Sequence, residues 1–333
     1  MFELTYLWAA VIALGVVVYV ILDGFDLGIG IIFFFQPRIR HRDVMMSSIA
    51  PMWDGNETWM ILGGAGLLAA FPKAYALLLS TLYIPILLML LALVFRGVAF
   101  EFRFKTNRHR LAWGVAFSVG STIAAFCQGA ILGTVVHGIP VVDGEYVGGS
   151  FGWLTPFSVF TGLAVMTGYV MLGATWLIMK TVGDLQAWSY RVAKRVLPLW
   201  LLMIAGVSVW TALSAEPIAE RWFSLPNFYF LSQVPMITTA IAGFTWWNLY
   251  HSNQRAPFYL TIGLFVLSFA GLIISIWPYI VPRVLTFEQA ASAPSSQLFS
   301  FIGVAIFLPF VIGYTIISYR VFRGKVDQAD AYH

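Results

Sequence analysis

Residues 6–34 read YLWAAVIALGVVVYVILDGFDLGIGIIFF, and Asp23 and Asp26 are the only charged side chains among them. A helix rises about 1.5 Å per residue and the hydrocarbon core of a bilayer is about 30 Å thick. A run of this length therefore predicts a helix that crosses the membrane. Working outward, similar runs predict spans over 47–70, 75–100, 112–136, 156–180, 193–214, 228–250, 257–280 and 297–322. The expected fold is all-α: a polytopic membrane protein of nine transmembrane helices, arranged as two four-helix bundles plus one peripheral helix. No loop is long enough for a soluble domain, so residues 1–333 read as one integral membrane domain. Alternating strands of about ten residues, the mark of a membrane β-barrel, are absent.

Composition supports the same class. The 333 residues are 60% hydrophobic and 10% charged, against about 25% charged in an ordinary soluble domain, and the mean hydropathy is +0.83. The net charge of +4 does not point to nucleic acid, because the basic residues lie between spans. Arg38, Arg40 and Arg42, Arg103 to Arg110, Lys180 to Arg195, Arg255, and Arg320 to Lys325 follow odd-numbered spans. Only Lys73, Arg221 and Arg283 follow even-numbered ones. By the positive-inside rule the N-terminus lies outside and the C-terminus in the cytoplasm. The start, Met1-Phe2-Glu3, has no basic region and its apolar run is too long for a cleaved signal, so the first helix is expected to stay.

Ionisable residues within hydrophobic spans are costly, at roughly 2.5–3.5 kcal/mol each on insertion scales. Five occur here: Asp23, Asp26, Asp54, Glu57 and Arg96, with Glu101 near the surface. The expected topology puts all of them in the cytoplasmic half. Asp23 and Asp26 share a helical face, as do Asp54 and Glu57, and Arg96 is the natural counter-ion. Two readings follow. The acids form a proton-conducting path open to the cytoplasm, or they form a salt-bridge knot that holds three helices in register. Gly24 and Gly28 suit close helix packing. Trp53 and Trp59 flank the second acidic pair, and Cys127 reads as a packing residue.

His41, His109, His137, His251 and His333 fall in loops, at span ends or in the tail. No span is expected to carry axial haem ligands, and neither a metal-ligand motif nor a nucleotide motif is present. The chain is expected to hold no cofactor or metal and to carry no catalytic residue of its own.

Three segments carry a resemblance: Asp23-Gly24-Phe25-Asp26-Leu27-Gly28, Ser48 to Trp59 (SIAPMWDGNETW), and Phe95 to Arg103 (FRGVAFEFR). In this order and spacing they resemble subunit II of the cytochrome bd-type quinol oxidases, including the cyanide-insensitive branch. The resemblance implies a heterodimer in a bacterial cytoplasmic (inner) membrane. Its haem-bearing subunit I would carry haem b and haem d, or only b-type haems. Such a complex oxidises quinol and reduces oxygen to water, taking protons from the cytoplasm and generating proton motive force without pumping. The resemblance further implies that Asp54 is the proton-path acid, that Asp26 and Arg96 belong to the polar cluster, and that Trp59 borders an oxygen route. It leaves room for lipid, for a structural quinone and for a single-helix accessory subunit, without placing them. One departure is Leu111-Ala112-Trp113-Gly114, which lacks an acid that some relatives carry beside the Trp. A proton-coupled secondary transporter with helices broken near Pro85 or Pro309, or a purely structural scaffold, is the alternative.

Overall fold

A computed structural model describes residues 2–106 and 108–326, so Met1 and His333 lie outside the described residues. The first helix, α1 (Phe2–Ile32), ends in a 3-10 turn at Phe33–Phe35 and is followed by α2 (Ile39–Ser47), α3 (Trp53–Ala70), α4 (Pro72–Lys105) and α5 (Arg110–His137). A small hairpin, β1 (Val141–Val142) and β2 (Glu145–Tyr146), leads to α6 (Pro156–Lys180), α7 (Gly183–Ser214), α8 (Glu216–Phe223), α9 (Asn227–Leu231), α10 (Gln233–Tyr250) and α11 (Ala256–Ile276). A second hairpin, β3 (Tyr279–Val281) and β4 (Leu285–Thr286), then α12 (Phe287–Ala290), precede α13 (Pro294–Val321). Both hairpins are antiparallel.

Seven helices among the described residues are long and apolar enough to cross a membrane: α1 with its 3-10 turn, α4, α5, α6, α7, α11 and α13. The other two expected spans, α3 and α10, are 18 residues each. Asp54, Asn56 and Glu57 make the first two turns of α3 polar, and Gln233, Asn248 and three threonines spread along α10 lower its apolarity. Apolarity and length therefore account for seven of the nine expected spans.

The helix ends differ from the hydropathy reading for identifiable reasons. The second span begins at Trp53 rather than 47, because residues 39–47 form the separate helix α2 and residues 48–52 turn around Pro51. The seventh, expected from 228, is divided into α9 and α10 at Ser232. The third and sixth extend past their apolar runs, to Lys105 and back to Gly183. Amphipathic turns outside the hydrocarbon still satisfy their backbone by continuing the helix, and basic residues favour its C-terminal end. The eighth stops at Ile276, because the following chain enters β3. The fifth starts where expected: Thr155 caps the helix through a reciprocal box with Ser158. Pro85, Pro198 and Pro309 all sit inside continuous helices, so the breaks that a transporter reading invoked at Pro85 and Pro309 are not there.

Helix α1 packs against α3, α5, α6 and α13, and its close approach to α6 depends on glycine. A Cβ at Gly28 would strike the Tyr169 carbonyl, and one at Gly173 would lie 2.7 Å from the Ile29 nitrogen. Without a hydrophobic drive between helices in lipid, such close packing supplies much of the association energy. The same device joins α4 to α5, where a Cβ at Gly120 would lie 2.6 Å from the Ala92 carbonyl oxygen and 3.3 Å from the Arg96 nitrogen. These contacts fix the backbone on which the buried charges stand.

Candidate functional site

Four charged residues, Asp23 and Asp26 of α1, Glu57 of α3 and Arg96 of α4, converge in the interior. Arg96 Nη1 donates to Asp23 Oδ1 at 2.5 Å and Nη2 donates to Glu57 Oε2 at 3.1 Å. Asp23, Asp26 and Arg96 are fully buried, whereas the Glu57 side chain keeps 23% exposure. Arginine suits this position because its planar fork serves two carboxylates at once. Asp26 is held differently: Asn56 Nδ2 donates to its Oδ2 at 2.8 Å and also to the Leu22 carbonyl at 3.3 Å. Asn56 Oδ1 in turn accepts the Tyr319 hydroxyl of α13 at 2.8 Å. The site thus draws on four helices, with three carboxyls around one guanidinium. Asp23 Oδ2, Asp26 Oδ1 and Arg96 Nε have no hydrogen-bond partner among the described residues.

A second polar string adjoins the cluster. Tyr169 donates to Gln128 Oε1 at 2.6 Å, and Gln128 Nε2 donates to the Tyr19 hydroxyl at 2.7 Å. Tyr19 stands one helical turn from Asp23 on α1.

The remaining site candidates lie elsewhere. Asp54 is exposed on α3, one turn before Glu57, and makes no ion pair among the described residues. Glu101 is exposed and pairs with Lys105 one turn along α4, at 2.9 Å. Trp59 is buried and its Nε1 has no hydrogen-bond partner among the described residues. Trp53 stacks on Phe100 with ring centroids 5.0 Å apart. Tyr319, Tyr19, Gln128 and Tyr169 did not figure in the sequence reading, and Asn56 figured only within the Ser48–Trp59 segment, not as a site residue. The signal available was weak: a polar residue inside a span is a candidate, but uncharged amides and phenols are common enough there to pass as packing.

Sequence reading also missed a basic knot at one end of the bundle. Asp43 of α2 accepts Arg103 Nη1 at 2.7 Å and Arg110 Nη2 at 2.5 Å. This ties α2 to the end of α4 and the start of α5, and Arg103 also lies over the Phe33 ring.

No group of three or more His, Cys, Asp or Glu among the described residues could hold a metal ion. His109 precedes α5, His137 ends it, His251 follows α10, and His41 lies on the short α2. Among the described residues these histidines form no facing pair within the helical interior.

The family model for cytochrome bd terminal oxidase subunit II matches residues 4–322. The chain belongs to that family. It is therefore a membrane subunit of a terminal oxidase, an enzyme complex whose haems are carried by a partner subunit. It is similar to the cytochrome bd ubiquinol oxidase subunit 2 of Bacillus subtilis (strain 168), at 29% identity over 97% of each chain. It is also similar to the cytochrome bd-I ubiquinol oxidase subunit 2 of Escherichia coli (strain K12), at 27% identity over 98% of this chain and 96% of that one. A solved structure of bd oxidase from Geobacillus thermodenitrificans has the same fold, with a TM-score of 0.78, 18% identity, and coverage of 96% of this chain and 98% of that one.

Proposed function

We propose that this chain is the non-haem subunit of a quinol-oxidising, oxygen-reducing complex, in which it braces the haem-bearing subunit and gives protons access from the cytoplasm. The similarity to ubiquinol oxidase subunits supports quinol as the substrate of the complex. The observation that carries the proton role is the cluster of Asp23, Asp26 and Glu57 around Arg96, with one guanidinium for three carboxyls. Uncompensated charge in a low-dielectric interior costs several kcal/mol per ion, so such a cluster reaches neutrality by holding protons. Glu57, the partly exposed member, is the outer end, and the exposed Asp54 one turn away collects protons at the surface. Trp59, buried on the same helix, borders the oxygen route.

In this reading α3 and α10 are the remaining two of nine spans. The two four-helix bundles of this reading are α1, α3, α4 and α5, and α6, α7, α10 and α11, joined through extensive α5–α6 and α1–α6 packing, with α13 peripheral against α1 and α3. The basic ends of the helices face the cytoplasm, which puts the N-terminus outside.

The test is made on the purified two-subunit oxidase in vesicles, comparing Asp54→Asn and Glu57→Gln. Quinol-driven oxygen consumption and proton uptake should both fall at least tenfold in one of them, with haem absorbance retained. Wild-type rates and pH profiles in both variants would remove the proton role. Failure of this chain to co-purify with a haem-bearing subunit would remove the whole reading.

A further inference from the structure

A groove of about 450 Å³ opens between the C-terminal half of α4 and the first turns of α5. Its walls are apolar: Phe95 and Phe102 on one side, Ala112, Trp113 and Ala116 on the other. Phe102 and Trp113 stack at 5.1 Å between centroids. Thr106, just after α4, and His109, just before α5, form its polar mouth. This end of the α4–α5 hairpin is strongly basic. Arg103, Lys105, Arg108 and Arg110 lie there against Glu101 and the neighbouring Asp43. Arg103 and Arg110 are committed to Asp43, and Lys105 to Glu101. Arg108, which lies between Thr106 and His109 in the sequence, is exposed and makes no ion pair among the described residues.

We propose that this groove seats one anionic phospholipid of the surrounding bilayer, with an acyl chain along the apolar lining of Phe95, Ala112 and Ala116 beside the stacked Phe102 and Trp113 rings, and the phosphate at the polar mouth with Thr106, His109 and Arg108. The volume falls in the range of small-molecule sites. It is small for a packed helix, whose diameter with side chains is about 10–12 Å. The excess positive charge selects an anionic headgroup over a neutral quinone ring or a zwitterionic lipid, since a basic residue at a membrane surface favours anionic lipid. This inference is independent of the proton path, which lies on other residues.

The test uses the purified two-subunit oxidase, placed in nanodiscs of equal phosphatidylglycerol and phosphatidylcholine and then delipidated by mild detergent. Retained lipid is counted by native mass spectrometry. The wild-type complex should retain phosphatidylglycerol in preference. Arg108→Gln should lower that retention about fivefold, equivalent to the ~1 kcal/mol that one basic side chain contributes. Ala116→Phe should abolish it by filling the groove, with haem absorbance as the check on assembly. Arg323→Gln, an equal charge loss elsewhere, should leave it unchanged. Equal retention of the two lipids, an Arg323→Gln effect as large as that of Arg108→Gln, or release of a quinone or a short helical chain instead of phospholipid by Ala116→Phe would each overturn the proposal. Should Ala116→Phe fail to assemble, the Arg108 and Arg323 pair decides alone.

Discussion

Arg96 of α4 meets Asp23 of α1 at 2.5 Å with neither side chain exposed, and its other arm holds Glu57 of α3. Removing the guanidinium would strand two carboxyls in the interior. Breaking a buried pair by deleting one partner costs about 3–5 kcal/mol. Arg96→Gln is therefore expected to reduce the amount of assembled, haem-containing complex severalfold and to lower its melting temperature. Arg96→Lys should recover part of the loss, since a point charge can serve one acid but not fork to two. The double variant Asp23→Asn/Arg96→Gln should be less damaging than Arg96→Gln alone. Equal stability of Arg96→Gln and wild type, read by thermal unfolding of the purified complex, would show that the cluster carries no structural weight.

Asn56 links Asp26 to Tyr319 and so couples α1 to the C-terminal part of α13, whose N-terminal end is tied to α1 separately through Gln297 and Trp8. Asn56→Leu removes the donor to a buried carboxyl and leaves the phenol unpaired, whereas Tyr319→Phe deletes a single neutral hydrogen bond. A hydrogen bond contributes about 0.5–1.5 kcal/mol net, and leaving a buried partner unsatisfied costs about 1–3 kcal/mol; Asn56 makes three such bonds, to Asp26, Leu22 and Tyr319. Asn56→Leu should thus destabilise the complex about twice as much as Tyr319→Phe. A reversed order in denaturation midpoints would mean that Tyr319, not Asn56, is the keystone.

At the basic end, Arg103 and Arg110 share Asp43, but the Arg103 side chain is 3% exposed and that of Arg110 is 38% exposed. A pair open to solvent contributes about 0–1 kcal/mol after screening, while the buried one carries a desolvated charge. Arg103→Gln is expected to cost roughly 3 kcal/mol and Arg110→Gln less than about 1 kcal/mol. Thermal unfolding of the two variants side by side makes the comparison, and matching shifts would contradict the difference in burial.

Much of this was legible in the sequence. Apolar runs located the helices because lipid demands internal backbone satisfaction, and the cost of charge in a span singled out Asp23, Asp26, Glu57 and Arg96 before any geometry was known. Asp54 was less legible. It sits i, i+3 from Glu57, yet α3 turns it outward while Asn56 faces Asp26, and hydropathy does not encode rotation about a helix axis. Asp43 was hidden because it lies on α2, a polar helix outside the apolar runs, and its partners Arg103 and Arg110 read as topology signals. Tyr319 was hidden by its distance from Asn56 along the chain, since only the packing of α13 against α3 brings the two together.

The α1–α6 crossing gives the last expectation. Gly28 faces the Tyr169 carbonyl, and the Val170 nitrogen would lie 3.1 Å from an added Cβ. Both contacts are backbone, so no side chain can move aside. Gly28→Ala must push the helices apart, and overpacking of this kind typically costs about 1–3 kcal/mol. The displacement would also carry Asp23 and Asp26, which lie on α1 within about a turn and a half of Gly28, away from Arg96 and Asn56. Gly243→Ala on α10 meets nothing within 4 Å and should be neutral or slightly stabilising, because alanine is the better helix former. The two variants are compared by yield of assembled complex and by melting temperature. A Gly28→Ala complex as stable as Gly243→Ala would show that α1 and α6 do not rely on this contact, and that the buried charges are held by their own pairing alone.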